Sequence, residues 1–212
     1  LYPITVEKTC SPWNPVLEIV LYNGKYSLNS ENTNYSHGTL HTLFKKIFSN
    51  LKLDWNIIND ALILGFGTGS IAQIIKTYKP NCTIDGVEID TKIIELGEKY
   101  FHTSSLKDVT IHNASADKFI EDCKDKFDLI IIDAFVDTDV PQELEVEQFL
   151  VRVNDVLTPG GTVIFNKVIY TKTMKEQIPS LKELYEKIFD SLDIMTVMGT
   201  GKIFIARKKR LL

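Results

Sequence analysis

The stretch that decides the fold is Ala61-Leu-Ile-Leu-Gly-Phe-Gly-Thr-Gly-Ser70, a short apolar run followed at once by a glycine-rich turn. The run is typical of a buried strand, and residues 71–78 continue with the apolar spacing of an amphipathic helix. Glycines let the backbone turn sharply and approach a ligand without Cβ contacts, and the first N–H groups of the helix are free to meet that ligand. The stretch therefore predicts a strand, a ligand-binding turn and a helix, although a tight turn without a ligand is the simpler alternative.

The alternation of strand and helix continues on the carboxyl side of this stretch. The pattern predicts strands at residues 83–89, 109–112, 127–133 and from 162, helices between them and at 174–192, and a closing antiparallel hairpin over 194–206. Leu129 to Ile132 is continuously apolar, which is typical of a strand buried on both faces. Pro159-Gly160-Gly161 is predicted to end a helix. Repeated strand–helix units predict a mostly parallel sheet with helices on both faces.

The residues ahead of this unit follow a different pattern. Asn23-Gly24 separates two partly apolar runs, residues 16–22 and 25–28, and predicts a type I′ hairpin. Apolar residues at helical spacing follow between Leu40 and Leu51. We therefore expect an N-terminal β-hairpin and helix extension over residues 1–52, and a nucleoside-binding domain over residues 53–212.

The amino-acid composition favours a globular protein and argues against nucleic-acid, membrane and metal partners. Hydrophobic residues make up 44% of the 212 residues and charged residues 25%, which is typical of a soluble globular chain. The net charge of −4 argues against a nucleic-acid partner. No apolar run is long enough to span a membrane and no signal peptide is visible, so we expect a cytoplasmic protein with no membrane partner. The 3 scattered cysteines and 4 histidines show no disulfide framework or metal-ligand spacing, and we expect no metal.

Ligands of doubly wound sheets bind at the carboxyl ends of the strands, where the strand order reverses. Glu88 ends the second strand, about 20 residues after the glycines, and is predicted to accept the hydroxyls of an adenosine ribose. Asp90 better suits the start of the next helix. Ser115, after the third strand, could contact the adenine amine or cap a helix, and both alternatives stay open.

Asp133 ends the most buried strand, where a carboxylate without a role would be costly. We predict that it orients or deprotonates a nucleophile. The acidic segment, residues 133–147, contains the acids Asp133, Asp137, Asp139, Glu143, Glu145 and Glu147. It could form a funnel for a cationic substrate or a solvated loop that leads into a helix.

Together these strand ends resemble the class I S-adenosylmethionine-dependent methyltransferases, and more narrowly the spermidine synthase branch of that fold. The motifs that carry the resemblance are Gly65-Phe-Gly-Thr-Gly69, Val87-Glu-Ile-Asp90, Asp128-Leu-Ile-Ile-Ile-Asp133 and Leu157-Thr-Pro-Gly-Gly161. The resemblance implies a Rossmann-like α/β class I methyltransferase fold: a seven-stranded, mostly parallel sheet with an antiparallel C-terminal hairpin, preceded by a small N-terminal β-hairpin. It also implies that a homodimer could form.

The resemblance further implies a cofactor and a set of site residues. The cofactor is S-adenosylmethionine or its decarboxylated form, and Asp133 is the catalytic proton acceptor. The cofactor-binding residues are Gly65, Phe66, Gly67, Thr68, Gly69, Glu88, Ile89, Ser115, Ala116 and Asp133. The substrate-binding residues are Tyr35, His37, Phe135 and Asp137.

Thr68 stands where spermidine synthases carry an aspartate that favours the decarboxylated cofactor. Without that acid, a cofactor carboxylate is no longer repelled. We therefore predict a spermidine synthase-like transferase that moves a methyl group to a small acceptor, such as an amine. Aminopropyl transfer and a non-catalytic nucleoside-binding paralogue remain alternatives. A nicotinamide-dependent oxidoreductase fits less well, because Ser70 occupies the position of its third glycine.

Overall fold

A computed structural model describes residues 2–31, 34–36, 39–135, 140–197 and 201–210, with backbone only at 34–36, 39 and 40. The strands are β1 (Ile4–Thr9), β2 (Leu17–Tyr22), β3 (Lys25–Ser30), β4 (Asn34–Ser36), β5 (Asp60–Leu64), β6 (Thr83–Glu88), β7 (Val109–Asn113), β8 (Phe127–Ile132), β9 (Leu157–Val168), β10 (Ser191–Val197) and β11 (Gly201–Arg207). The helices are α1 (Thr39–Leu51), α2 (Ser70–Tyr78), α3 (Thr91–Phe101), α4 (Ala116–Asp122), α5 (Glu147–Val156) and α6 (Lys172–Ile188). No helix within these ranges is both long and apolar enough to cross a membrane.

The main sheet has seven strands in the order β10-β11-β9-β8-β5-β6-β7. Strands β5 to β9 pair in parallel, whereas β11 is antiparallel to both β9 and β10. This arrangement confirms the predicted α/β fold and its closing hairpin. The strand order reverses between β5 and β8, because the chain runs from β5 outward to β7 and then returns to the other side of β5. The turns after β5 and β8 therefore meet at the switch point, where ligands bind in such sheets.

Side chains of β8 pack into a separate core cluster on each face of the main sheet. Ile130 and Ile132 belong to the first core cluster, which includes residues of α4, α5 and α6. Leu129 and Ile131 belong to the second core cluster, which includes residues of α1 and α2. All four side chains are fully buried. The continuous apolar run in the sequence therefore reflects burial on both faces.

The N-terminal residues form a second, four-stranded antiparallel sheet in the order β1-β2-β3-β4. The predicted hairpin is confirmed, since β2 pairs with β3 and both Asn23 and Gly24 have positive φ angles, 48° and 73°. Strands β1 and β4 were not predicted. Four of the six residues of β1 are exposed, so β1 lacks the alternation that identifies a half-buried strand.

The N-terminal sheet packs on α3 through a small apolar cluster formed by Leu17, Ile19, Leu28, Ile93, Leu96 and Phe101. Helix α1 instead packs in the second core cluster, where Phe44 and Phe48 are buried. The domain boundary at residue 52 stays a prediction.

Two predicted element ends differ from the structure by more than three residues. Strand β9 starts at Leu157 and continues through Pro159-Gly160-Gly161, which the sequence predicts to end a helix, with the next strand beginning only at residue 162. The register on β8 shifts here, and Gly160 N–H donates to the carbonyl of Lys208 at 3.0 Å, so the segment is a bulge held by the end of the chain. Helix α6 ends at Ile188 rather than at the predicted residue 192, because β10 already pairs with β11 from Ser191.

Candidate functional site

The glycine turn, residues 65–69, connects β5 to α2 and is tied to β6. The N–H groups of Gly65 and Phe66 both donate to the carbonyl of Val87 at 2.9 Å. Gly65 has a φ of +89°, and a Cβ at this position would lie 2.4 Å from the carbonyl oxygen of Asp133. Only glycine fits such an approach. The turn after β5 is thus in direct contact with the turn after β8, as the strand order requires.

Two side chains of the glycine turn face the protein interior. The ring of Phe66 is buried in the second core cluster and lies over Gly86, where a Cβ would be 2.1 Å from the ring. Thr68 is fully buried, and its hydroxyl has no hydrogen-bond partner among the described residues. Neither side chain is therefore exposed on the surface of the turn. Their contact with a cofactor stays a prediction.

Glu88, at the end of β6, holds the glycine turn with its carboxylate. One oxygen, Oε2, accepts from Gly67 N–H at 2.9 Å, and Oε1 accepts from Asp90 N–H at 3.0 Å. The side chain is buried, and this burial raises the pKa of Glu88 to about 6 despite the backbone hydrogen bonds, which lower it. A carboxylate has about four acceptor sites, so two bound N–H groups leave capacity for the hydroxyls of a ribose.

Asp90 begins α3, as predicted. Its Oδ1 accepts from Lys92 N–H at 2.9 Å and so caps the helix. Its Oδ2 accepts from two side chains of the N-terminal extension, Ser11 Oγ and Asn14 Nδ2. The sequence suggested the cap but not the contact with residues 11 and 14, because that contact spans more than 70 residues of chain.

The turn after β7 lies beside Glu88. Asn113 Nδ2 donates to the carbonyls of Glu88 and Ile89 at 2.9 and 3.1 Å. Ser115 is the N-cap residue that precedes α4, but its hydroxyl forms no capping hydrogen bond. Contact of this hydroxyl with a ligand stays a prediction. Ile89, Ser115 and Ala116 are half-buried, and their place in a cofactor pocket stays a prediction.

Asp133 follows β8 directly and is buried, with 8% of its surface exposed. Asn166 of β9, itself 2% exposed, donates from Nδ2 to Asp133 Oδ1 at 2.8 Å. Burial raises the pKa of Asp133 to about 7, and the Asn166 hydrogen bond opposes this rise. At neutral pH the carboxyl group can therefore accept a proton. The sequence analysis missed Asn166, although a polar residue in the apolar run Val163-Ile-Phe-Asn166 was an available signal.

Two acids of the acidic segment form ion pairs with lysines of other elements. Glu145 forms an ion pair at 2.6 Å with Lys167 of β9, whose side chain is only 4% exposed. Glu147 pairs with Lys187 of α6 at 2.6 Å. The buried lysine neutralises Glu145 against the sheet, so Glu145 does not contribute to a funnel for cations, whereas the Glu147–Lys187 pair lies exposed on the surface. Sequence reasoning missed both pairs, because the lysines lie on distant elements.

The predicted substrate residues are only partly described. His37 and Asp137 lie outside the described residues, and Tyr35 is described only by its place in β4. Phe135 is half-buried and packs against the first core cluster, in a position suited to a pocket wall. Across the described ranges, no group of three or more His, Cys, Asp or Glu side chains could hold a metal ion.

Comparisons with known proteins point to one family. The family model described as the spermine/spermidine synthase domain matches residues 51–200. A "Probable polyamine aminopropyl transferase" of Bifidobacterium longum is 33% identical over 138 residues, which cover 65% of this chain and 30% of that protein. The human "eEF1A lysine and N-terminal methyltransferase" is 28% identical over 141 residues, covering 60% of this chain and 20% of that protein. The chain thus spans less than a third of the length of these two curated relatives.

A solved structure shows the same architecture along the whole chain. The crystal structure of a probable spermidine synthase from Corynebacterium glutamicum superposes with a TM-score of 0.79 at 17% identity. The match covers 100% of this chain and 82% of that one. At this level of identity the likeness supports the fold alone.

Proposed function

The chain belongs to the spermine/spermidine synthase domain family, and we propose that it transfers an aminopropyl group from decarboxylated S-adenosylmethionine to an amine. The observation that carries this proposal is the buried carboxyl group of Asp133. It lies at the switch point of the sheet, against the glycine turn, and its pKa is raised to about 7. A group with this pKa can take up a proton at neutral pH and release it again.

The residues at the strand ends fit an adenosyl group. Glu88 offers carboxylate oxygens for the ribose hydroxyls, and Ser115 offers a hydroxyl that does not cap its helix. Ile89, Ala116 and Phe135 are half-buried and can provide the apolar walls that an adenine requires. We propose that these residues, together with the backbone of the glycine turn, hold the cofactor.

The chemistry assigned to the protein is alignment and proton transfer. When bound, an adenosyl sulfonium supplies a carbon that an amine attacks, and the C–S bond breaks to release a neutral thioether. Asp133 accepts the proton that the amine loses as it forms the new C–N bond. Asn166 holds Oδ1 of that carboxylate at 2.8 Å and so fixes its orientation.

The comparisons favour aminopropyl transfer over the methyl transfer expected from Thr68. The bacterial relative named above is described as a polyamine aminopropyl transferase. Methyl transfer is the second candidate, because Thr68 carries no charge that would repel a cofactor carboxylate. The human relative, named as a methyltransferase, supports this candidate. The homodimer implied by the resemblance remains a prediction.

The proposal is tested by two measurements on the purified chain. The first is calorimetric titration with S-adenosylmethionine and, separately, with its decarboxylated form. The second is mass spectrometry of products after incubation of each cofactor with a panel of diamines and polyamines. We expect tighter binding of the decarboxylated form and an aminopropylated amine as product. A methylated amine would support the second candidate, binding without turnover would indicate a non-catalytic paralogue, and binding of neither cofactor would refute the proposal.

A further inference from the structure

The N-terminal turn, residues 11–14, connects β1 to β2 and is closed by its own hydrogen bonds. Ser11 N–H donates to the carbonyl of Asn14 at 2.8 Å, and Asn14 N–H donates to Ser11 Oγ at 3.0 Å. This closure brings the side chains of Ser11 and Asn14 together on one side of the turn. Both donate to the same atom, Oδ2 of Asp90, with Asn14 Nδ2 at 2.8 Å.

From Asp90 the hydrogen bonds continue into the nucleoside site. Asp90 is 1% exposed, and its own N–H donates to Glu88 Oε1 at 3.0 Å. The other oxygen of Glu88 accepts from Gly67 N–H at 2.9 Å. A chain of hydrogen bonds therefore links the N-terminal turn to the glycine turn through Asp90 and Glu88. The Asn14–Asp90 and Asp90–Glu88 bonds are buried, which strengthens them because little water competes for the donors.

We propose that Ser11 and Asn14 are positioning residues for nucleoside binding, which act through Asp90 on the Glu88 carboxylate. The inference rests on the proposed function, because Glu88 is there the ligand of the ribose. Asp90 is fixed on both sides, by the helix cap at Oδ1 and by the N-terminal turn at Oδ2. Its peptide N–H is thereby aimed at Glu88. The N-terminal sheet thus contributes to nucleoside affinity through residues that do not contact the nucleoside.

The molecule offers a matched control for this inference. Glu7 of β1 also connects the N-terminal sheet to α3, by an ion pair with Lys99 at 2.6 Å and a hydrogen bond from Tyr100. This second attachment forms no part of the chain that leads to Glu88. Glu7→Ala therefore loosens the same sheet without disturbing the carboxylate. Comparison of the variants at residues 11 and 14 with Glu7→Ala therefore separates a weaker attachment of the N-terminal sheet from a specific effect on the Glu88 carboxylate.

The probe is 5′-methylthioadenosine, the neutral thioether that the proposed aminopropyl transfer releases. Its affinity for the full chain is measured by calorimetry. We expect Asn14→Ala to weaken binding about tenfold, as the loss of one hydrogen bond to a charged group predicts. Ser11→Ala, which leaves Asn14 in place, should weaken it less, roughly threefold. Glu7→Ala should lower the melting temperature and leave the affinity within about twofold of the wild type. If Asn14→Ala does not fold, Ser11→Ala provides the same test.

A double-mutant cycle with Glu88→Gln tests the route of the effect. If Asn14 acts through the Glu88 carboxylate, Asn14→Ala should cause little further loss of affinity in the Glu88→Gln background. Equal losses in both backgrounds would overturn the inference, as would wild-type affinity in Asn14→Ala or an equal loss in Glu7→Ala. Failure of the wild type to bind the nucleoside would overturn the proposed function together with this inference. Nucleoside binding that is insensitive to residues 11 and 14 would overturn the inference alone.

Discussion

Replacement of Asp133 by asparagine should stabilise the protein while it removes turnover. Burial raises the pKa of Asp133 from 3.8 to about 7 in the folded chain. An acid whose pKa is higher in the folded state binds more protons when folded than when unfolded between these two values. The free energy of unfolding therefore falls as the pH rises through this range. Asparagine has nearly the same shape and no charge, so the variant does not lose stability by burying a charged carboxylate.

The size of the effect follows from the two pKa values of Asp133. A rise from 3.8 to about 7 corresponds to roughly 4 kcal/mol above pH 7, at about 1.4 kcal/mol for each pH unit. An asparagine at this position can also donate to Asn166 Oδ1, a buried atom that has no hydrogen-bond partner among the described residues. We expect a gain of about 2 to 4 kcal/mol, which raises the melting temperature by roughly 5 to 15 °C in a chain of this size.

Thermal unfolding followed by circular dichroism at pH 8 and pH 5 measures the effect. The gain should shrink by more than half at pH 5, because the folded carboxyl group is then already protonated. Asp128→Asn, on the strand that precedes Asp133, is the matched control. The carboxylate of Asp128 accepts from Asn59 N–H at 2.9 Å and from Thr158 Oγ1 at 2.8 Å, so its replacement should give no gain. An Asp133→Asn variant that is no more stable at pH 8, or whose gain is the same at both pH values, would refute the reasoning.

Three further predictions concern the residues around this carboxylate. Asn166→Leu removes a hydrogen bond to a charged group, which is worth about 1.5 kcal/mol or more, so the proton affinity of Asp133 should rise at least about tenfold. Turnover should then fall about fivefold more at pH 7 than at pH 9, where only the lost orientation of the carboxylate acts, and a loss that is equal at every pH in the pH–rate profile would contradict this. Burial raises the pKa of Glu88 to about 6, and a carboxylate must be charged to bind ribose well. Affinity for 5′-methylthioadenosine should therefore fall about tenfold between pH 7 and pH 5, and constant affinity in calorimetry would exclude Glu88 as the ligand. Gly65→Ala places a Cβ 2.4 Å from the carbonyl oxygen of Asp133 at a φ of +89°. It should cost at least about 3 kcal/mol in urea unfolding, and a stability close to wild type would show that the two turns are not in contact.

The fold could be predicted wherever the signal is local. The glycine turn after an apolar run, and the continuous apolar residues Leu129 to Ile132, each report the burial of their own strand. The bulge at Pro159-Gly160-Gly161 could not be predicted in this way. It continues a strand because Lys208, nearly 50 residues later, supplies the hydrogen-bond partners for Gly160 and Gly161. Strand β1 was missed because its residues are mostly exposed.

In the candidate site, too, residues with a local sequence signal could be predicted and contacts between distant residues could not. Glu88 and Asp133 could be found from their places at strand ends, since parallel strands bring their carboxyl ends to one edge. Asn166 could not be assigned to Asp133, because their contact depends on the register of β9 against β8. Likewise the ion pair with Lys167 shows that Glu145 is largely buried and belongs neither to a funnel for cations nor to a solvated loop. Spacing in the sequence carries no information about either contact.

The cost of Asp133 to the fold and its proposed role have the same physical origin. A solvated aspartate, with a pKa near 3.9, would be too weak a base to compete for a proton at neutral pH. Desolvation at the end of β8 penalises the charged form and brings the pKa to about 7. The neutral Asn166 side chain orients the carboxylate without adding a positive charge that would lower the pKa much further. A lysine at this position would relieve the destabilisation and abolish the base. The Asn166 amide therefore leaves the pKa of Asp133 high enough for the carboxylate to accept a proton, and it fixes the direction from which the proton is accepted.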